Sequence, residues 1–211
     1  MKTWYIIPAR KGSRGLPLKN RKLLQSTLNI FPEDMKKSVI LSTNDQEILK
    51  KCREQNILAL KRPEKLSGDL SSTKEVLTEI IYQQNIKDSD NIVMLYLTYP
   101  QRTLRDVELA LQFFNDSDAS SMLCSKKANS HPYLCMFKNE GNKGRQVVKH
   151  DLYRRQDYPE CFELSHFICI FKVSELNRLN NNLYNENTIY YPIENIVDID
   201  TPSDYMKWLK N

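Results

Sequence analysis

Short apolar runs alternate along this chain with segments that carry helix-start signals, and that alternation limits the folds open to it. Trp4–Ile7, Ser38–Ser42, Ile57–Leu60, Asn91–Leu97 and Ser120–Cys124 are brief and apolar, as buried strands are. Between them lie helix openings. Asn44 stands three residues before Glu47, ahead of Ile48, Leu49 and Cys52 on one helical face through Gln55. Ser72-Thr73-Lys74-Glu75 is a full capping box, with Val76, Leu77, Ile80 and Ile81 inward. Thr103-Leu104-Arg105-Asp106 opens a third helix carrying Val107, Leu109, Ala110, Leu111 and Phe114. Strands separated by helices predict βαβ units and a mostly parallel sheet. The expectation is an α/β fold, Rossmann-like, with three layers in a single domain over residues 1–211. A chain of 211 residues that is 40% hydrophobic has enough apolar surface for one sizeable core.

The alternation fails from Lys126 to about Glu163, where glycine, asparagine and proline interrupt it. That stretch is too long for a plain loop in a compact domain, so it predicts an excursion at about 126–163, a lid or dimerisation arm. Ser165–Lys172 then returns as an apolar strand. Ile196–Asp200 follows as an extended segment. Thr201 as N-cap, Pro202 at the first helical position and Asp204 at the third start a last helix.

The first strand empties into a loop with Gly12, Gly15, Ser13 and the cations Arg10, Lys11, Arg14 and Lys19. Such loops present backbone N–H groups and fixed charge to phosphates, and glycine lets the backbone approach an anion closely. Neither the P-loop spacing nor the dinucleotide fingerprint is present. A solvated basic turn is the other reading of the same residues. The loop lies at the carboxyl end of a strand, where ligands of parallel sheets bind. Asp198 and Asp200 alternate about Ile199, so on an extended segment both carboxylates face one side. Two hard oxygen donors suit Mg2+ or Mn2+, which keep waters and share substrate phosphates; ordinary acids before a helix are the plain alternative. Beside a cationic phosphate loop, the metal reading is the stronger one.

The formal charge of +5 suits small anionic substrates, and the cations are dispersed with no basic helix or arm, so no nucleic-acid partner is expected. No apolar run is long enough to span a membrane and no secretory signal is evident, which predicts a cytoplasmic protein with no membrane partner. The five cysteines show no Cys-x-x-Cys spacing and read as reduced, mostly buried thiols. His131, His150 and His166 are scattered, without ligand or triad spacing.

Ile7-Pro8-Ala9-Arg10-x-Gly12-Ser13-Arg14-Gly15-Leu16-Pro17-x-Lys19-Asn20 resembles the N-terminal signature of the acylneuraminate cytidylyltransferases, the CMP-sialic acid synthetase family. Arg62-Pro63-x-x-Leu66-x-x-Asp69-x-Ser71-Ser72 is similar to the family's nucleotide-contacting stretch, though a proline loop before a capped helix explains it equally. Asp198-Ile199-Asp200-Thr201-x-x-Asp204 is similar to the family's C-terminal metal motif. The resemblance covers nearly the whole chain, with a shorter segment between Asn20 and Ser38.

By resemblance, the fold is that of the nucleotidyltransferases. Ala9, Arg10, Ser13, Arg14, Lys19, Asn20, Arg62 and Ser71 would bind the nucleotide, with Arg10, Lys19 and Asp200 catalytic. Asp198 and Asp200 would hold Mg2+ or Mn2+. Tyr96, Thr98, Arg155, Gln156 and Ser165 would meet the acceptor, Arg155 at its carboxylate. The partners implied are CTP and an acidic sugar, in a homodimer, with CMP passed to an anomeric hydroxyl of a nonulosonate-like acid. A Kdo-like acid, a phosphonate, or a non-catalytic nucleotide-binding role are the alternatives, the last disfavoured by the retained Asp pair. The match weakens on the sugar side. Leu95-Tyr96-Leu97-Thr98-Tyr99-Pro100-Gln101-Arg102 stands where the family has Leu-Gln-Pro-Thr-Ser-Pro-Leu-Arg, and Glu163 and Ser165 stand for an arginine and an asparagine. These replacements predict that N-acetylneuraminate is a poor acceptor.

Overall fold

The computed structural model describes residues 1–13 and 15–210. The chain runs β1 (Thr3–Pro8), α1 (Lys19–Leu28), α2 (Glu33–Lys36), β2 (Val39–Thr43), α3 (Gln46–Glu54), β3 (Leu58–Lys61), α4 (Thr73–Gln83), β4 (Asn91–Met94) and α5 (Leu104–Asn115). It continues through β5 (Ser121–Lys127), β6 (Met136–Lys138), β7 (Gly144–Gln146), β8 (Phe162–Lys172), β9 (Ile189–Pro192) and α6 (Pro202–Trp208). Among the described residues, the main sheet has seven strands in the order β3-β2-β1-β4-β8-β5-β9. All neighbouring pairs are parallel except those of β8, which is antiparallel to both β4 and β5.

Three layers follow from the two-residue period of the strands. Along β1, Tyr5 and Ile7 enter one core while Ile6 enters the other. Leu23 and Leu24 of α1, Ile48 of α3, Phe114 of α5 and Trp208 of α6 cover the first face. Val76, Leu77 and Ile80 of α4, with Leu176 of the 3-10 segment Val173–Arg178, cover the second. The mostly parallel α/β sandwich read from the sequence is the fold.

Local chemistry explains the helix starts. Ser72 with Glu75, Thr103 with Asp106, and Thr201 with Asp204 each form reciprocal capping boxes. One start differs from expectation. The N-cap of α3 is Asp45, whose Oδ1 accepts the Glu47 N–H at 3.0 Å, and not Asn44. Asn44 is used elsewhere: its Oδ1 accepts the Lys11 N–H at 2.6 Å and ties the β1 loop to the end of β2. Helix α1 and strand β9 carry no clear sequence pattern. The run expected as a strand over 91–97 is a strand only to Met94, because the chain turns after it to meet the C-terminal segment.

The excursion exists. β5 and β8 run on as a pair to Lys127 and Phe162, and the β6–β7 hairpin lies between them. Its own packing is aromatic. Tyr133 stacks on His150 at 4.2 Å, and Tyr158 packs against His131, Tyr133 and His150. The Nε2 atoms of His131 and His150 lie 2.9 Å from the carbonyls of Pro159 and Tyr133. A carbonyl only accepts, so both Nε2 atoms carry the proton. His131 and His150, which look scattered in sequence, are thus the stitching of the arm, while His166 on β8 bonds the Asn182 carbonyl at 2.9 Å. The five cysteines are unpaired thiols, three of them buried. Among the described residues, no helix is long and apolar enough to cross a membrane.

Candidate active site

The loop after β1 is held open by three hydrogen bonds. The Ala9 N–H donates to the Ser42 carbonyl at 2.9 Å, Lys11 is held by Asn44, and Asn20 Nδ2 donates to the Arg10 carbonyl at 2.8 Å. Gly12 has φ +85°, a left-handed conformation that favours glycine. Gly15 is required for a different reason. A Cβ there would collide with the backbone carbonyl oxygen of Asp200, so the loop and the C-terminal carboxylate segment touch backbone to backbone.

That contact closes a cavity of ≈ 350 Å³ at the carboxyl ends of the strands. Arg10, Ser13, Lys19 and Asn20 line it from the loop. Arg62, Ser71, Thr73 and Val76 line it from the β3–α4 connection, and Tyr96, Thr98 and Asp200 from the far side. Lys19 Nζ lies 2.6 Å from Asp200 Oδ1, and Arg10 lies 2.6 Å from Asp69. Arg62 is 5% exposed, and its guanidinium donates to the Ser42 hydroxyl at 3.3 Å and the Ser42 carbonyl at 2.9 Å. Burial, then the charge of Arg10, lowers its pKa to about 10, which leaves it cationic at neutral pH. Among the described residues no carboxylate pairs with Arg62, so a buried positive charge faces the cavity with neutral partners only.

The Asp198–Asp200 segment is not a sheet strand. It docks on the turn after β4. The Ile199 N–H donates to the Thr98 carbonyl at 2.9 Å, and Gln101 Nε2 donates to the Val197 carbonyl at 2.8 Å. Ile199 is wholly buried while Asp198 and Asp200 are exposed on either side of it. Each carboxylate has one engaged oxygen: Asp198 Oδ2 accepts from the Tyr99 hydroxyl at 2.9 Å, and Asp200 Oδ1 pairs with Lys19. Two hard carboxylates of this kind fit a divalent cation that keeps most of its water.

The structure brings Arg10, Ser13, Lys19, Asn20, Arg62, Ser71, Tyr96, Thr98 and Asp200 to one cavity, with Ala9 buried beneath the loop. Asp198 sits beside Tyr99 and does not line it. Arg14 lies outside the described residues. Arg155 and Gln156 are exposed on a 3-10 turn of the arm, away from the cavity. Ser165 is buried in β8, its Oγ accepting the Phe167 N–H at 3.3 Å. Glu163 pairs with Lys126 at 3.3 Å and accepts the Asn129 N–H at 3.0 Å, so its carboxylate has partners within the arm.

Sequence reasoning missed Thr73, whose hydroxyl lies 2.6 Å from that of Tyr96. The capping box had already accounted for its neighbours. Arg102 is fully buried and bonds the carbonyls of Phe167 and Tyr96, pinning the end of β4 to β8.

A sequence profile described as Cytidylyltransferase matches residues 4–190. The chain belongs to the cytidylyltransferase family. It is 27% identical, over 98% of its length, to the N-acylneuraminate cytidylyltransferase of Streptococcus agalactiae, of which it covers 52%. It therefore spans about half the length of those streptococcal relatives. It is 22% identical, over 97% of its length, to the CMP-N,N'-diacetyllegionaminic acid synthase of Legionella pneumophila, covering 94% of that protein. Its fold matches CMP:2-keto-3-deoxy-manno-octonic acid synthetase, solved with CTP, at a TM-score of 0.68 and 16% identity over 99% of this chain and 97% of that one. The cytidylyltransferase fold thus holds at an identity where sequence alone is a weak guide.

Proposed function

We propose that this chain transfers CMP from CTP to the anomeric hydroxyl of an acidic sugar of the nonulosonate class and releases pyrophosphate. One observation carries the reading: Arg10, Lys19 and the buried Arg62 converge with Asp200 on a single cavity at the carboxyl ends of the sheet. Arg10, Ser13, Arg14 and Lys19 bind the triphosphate, and Arg62 with Ser71 and Thr73 binds the nucleoside side. Asp198 and Asp200 hold Mg2+ or Mn2+, which when bound supplies charge neutralisation at the α-phosphate. The acceptor hydroxyl attacks the α-phosphorus in line and gives up its proton to solvent, a new P–O bond forms, and the bond from the α-phosphorus to the oxygen bridging to the β-phosphate breaks, releasing pyrophosphate. Lys19 stabilises the departing negative charge. Positioning and fixed charge do most of such a reaction.

Tyr96 has no carboxamide to offer an acyl sugar, and its hydroxyl already bonds Thr73. N-acetylneuraminate is therefore expected to be a poor acceptor. Pyrophosphate release with CTP, measured across N-acetylneuraminate, a di-N-acetylated nonulosonate and Kdo, tests both levels. Release with none of them would remove the enzymatic reading. N-acetylneuraminate emerging clearly best would remove the acceptor reading alone. The likeness to a Kdo-activating fold keeps the eight-carbon acid on that panel.

The chain is further proposed to work as a homodimer in the cytoplasm. Leu134, Met136, Phe137 and Phe162 expose apolar surface along the arm, and free thiols suit a reducing compartment. Arg155 meets a sugar carboxylate when the arm folds onto a cavity, its own or that of the second copy.

A further inference from the structure

We infer that Tyr99 is a positioning residue for the metal, acting through Asp198; the inference rests on the reading of Asp198 and Asp200 as the metal pair. Two free carboxylates on an exposed segment would swing between rotamers. Here one of them is fixed from below. The Tyr99 hydroxyl donates to Asp198 Oδ2 at 2.9 Å, and Tyr99 itself is 5% exposed. Its ring stands edge-on to Phe167 at 5.6 Å, and Phe167 is in the core. The tether runs straight into the rigid sheet. Thr98 and Gln101, on either side of Tyr99, bind the Ile199 and Val197 backbones, so the backbone that carries Asp198 is fixed as well.

A carboxylate oxygen only accepts, so the Tyr99 hydroxyl is the donor of this bond; it engages Asp198 Oδ2 and leaves Oδ1 free for a cation. Hydrogen-bond partners of metal-binding carboxylates have this effect in general, and their loss weakens metal affinity by roughly 10- to 100-fold. Tyr99 stands where the resembled pattern carries a serine, which is too short to reach in the same way.

Tyr99→Phe keeps the ring and removes the tether. The test is Mn2+ titration of full-length protein with CTP and no acceptor, read as the protein-dependent enhancement of water-proton relaxation. Half-saturating Mg2+ for turnover is measured in parallel. Tyr99→Phe should raise the Mn2+ dissociation constant and the half-saturating Mg2+ by about tenfold. Its kcat should return towards wild type at high Mg2+, and its melting temperature should stay near wild type. In Asp198→Asn, adding Tyr99→Phe should weaken Mn2+ no further, because the tether acts only through that carboxylate. Unchanged Mn2+ affinity in Tyr99→Phe, with weakened affinity in Asp198→Asn, would overturn the positioning role and leave the metal pair standing. Unchanged affinity in Asp198→Asn and Asp200→Asn would overturn the metal pair and this inference with it.

Discussion

Asp200 joins three constraints at one residue: its carbonyl meets Gly15, its carboxylate meets Lys19, and it lines the cavity. Asp200→Asn keeps the shape and removes the negative charge. CTP should bind within a few-fold of wild type, and kcat should fall by orders of magnitude, the mark of an interaction made in the transition state. Steady-state kinetics with CTP titration separates the two. Gly15→Ala should be costly although alanine is small, because the obstacle is backbone that a rotamer change cannot clear. Overpacking of this kind costs roughly 1–3 kcal/mol. A lowered melting temperature together with reduced turnover would show that loop and carboxylate segment had been pushed apart. Lys19→Ala and Arg10→Ala should leave the unliganded melt near wild type and shrink the upward shift that CTP produces. A shift that survives both substitutions would place the triphosphate elsewhere.

Helix α3 shows how an element is secured by more than its own sequence. Asp45 is its N-cap and also takes both guanidinium bonds of Arg21 in α1, at 2.7 and 2.8 Å. Burial by itself raises the Asp45 pKa, but the Arg21 hydrogen bond and the Glu47 and Ile48 N–H groups outweigh it, and the net direction is down. A carboxyl depressed on folding contributes stability that is present above its unfolded pKa, about 4. That contribution is lost as pH falls through the lower folded value. Asp45→Ala should cost at least about 1 kcal/mol at neutral pH, from the cap alone. The gap between wild type and variant should narrow progressively below about pH 4. Urea melts at pH 7 and pH 3 measure it, and a pH-independent gap would mean that the ion pair contributes nothing.

At the scale of the molecule, the three-layer body is complete and the arm is not. The arm has a small aromatic and histidine packing of its own, yet Met136 and Phe137 are more than half exposed. Light scattering at micromolar concentration should return twice the chain mass. A paired Met136→Asp/Phe137→Asp variant should return the single mass with the main sheet intact by circular dichroism. A wild-type chain that stays monomeric under those conditions would remove the dimer.

The sequence by itself determined most of the main strands, the capping-box starts of α4, α5 and α6, and the glycine-bearing basic loop after β1. Those signals lie within a few residues of one another, as in Ser72 with Glu75 or the alternation around Ile199, and need no knowledge of the rest of the chain. Only the tertiary structure decided that β8 runs antiparallel and that Glu163 pairs with Lys126. It also decided that Arg155 stands apart from the cavity and that Thr73 faces Tyr96. The decisive site contacts join residues 99 and 181 positions apart, Tyr99 with Asp198 and Lys19 with Asp200. Side chains that distant meet only where two segments of backbone are packed side by side. That packing is set by the whole core, not by any local pattern around either residue.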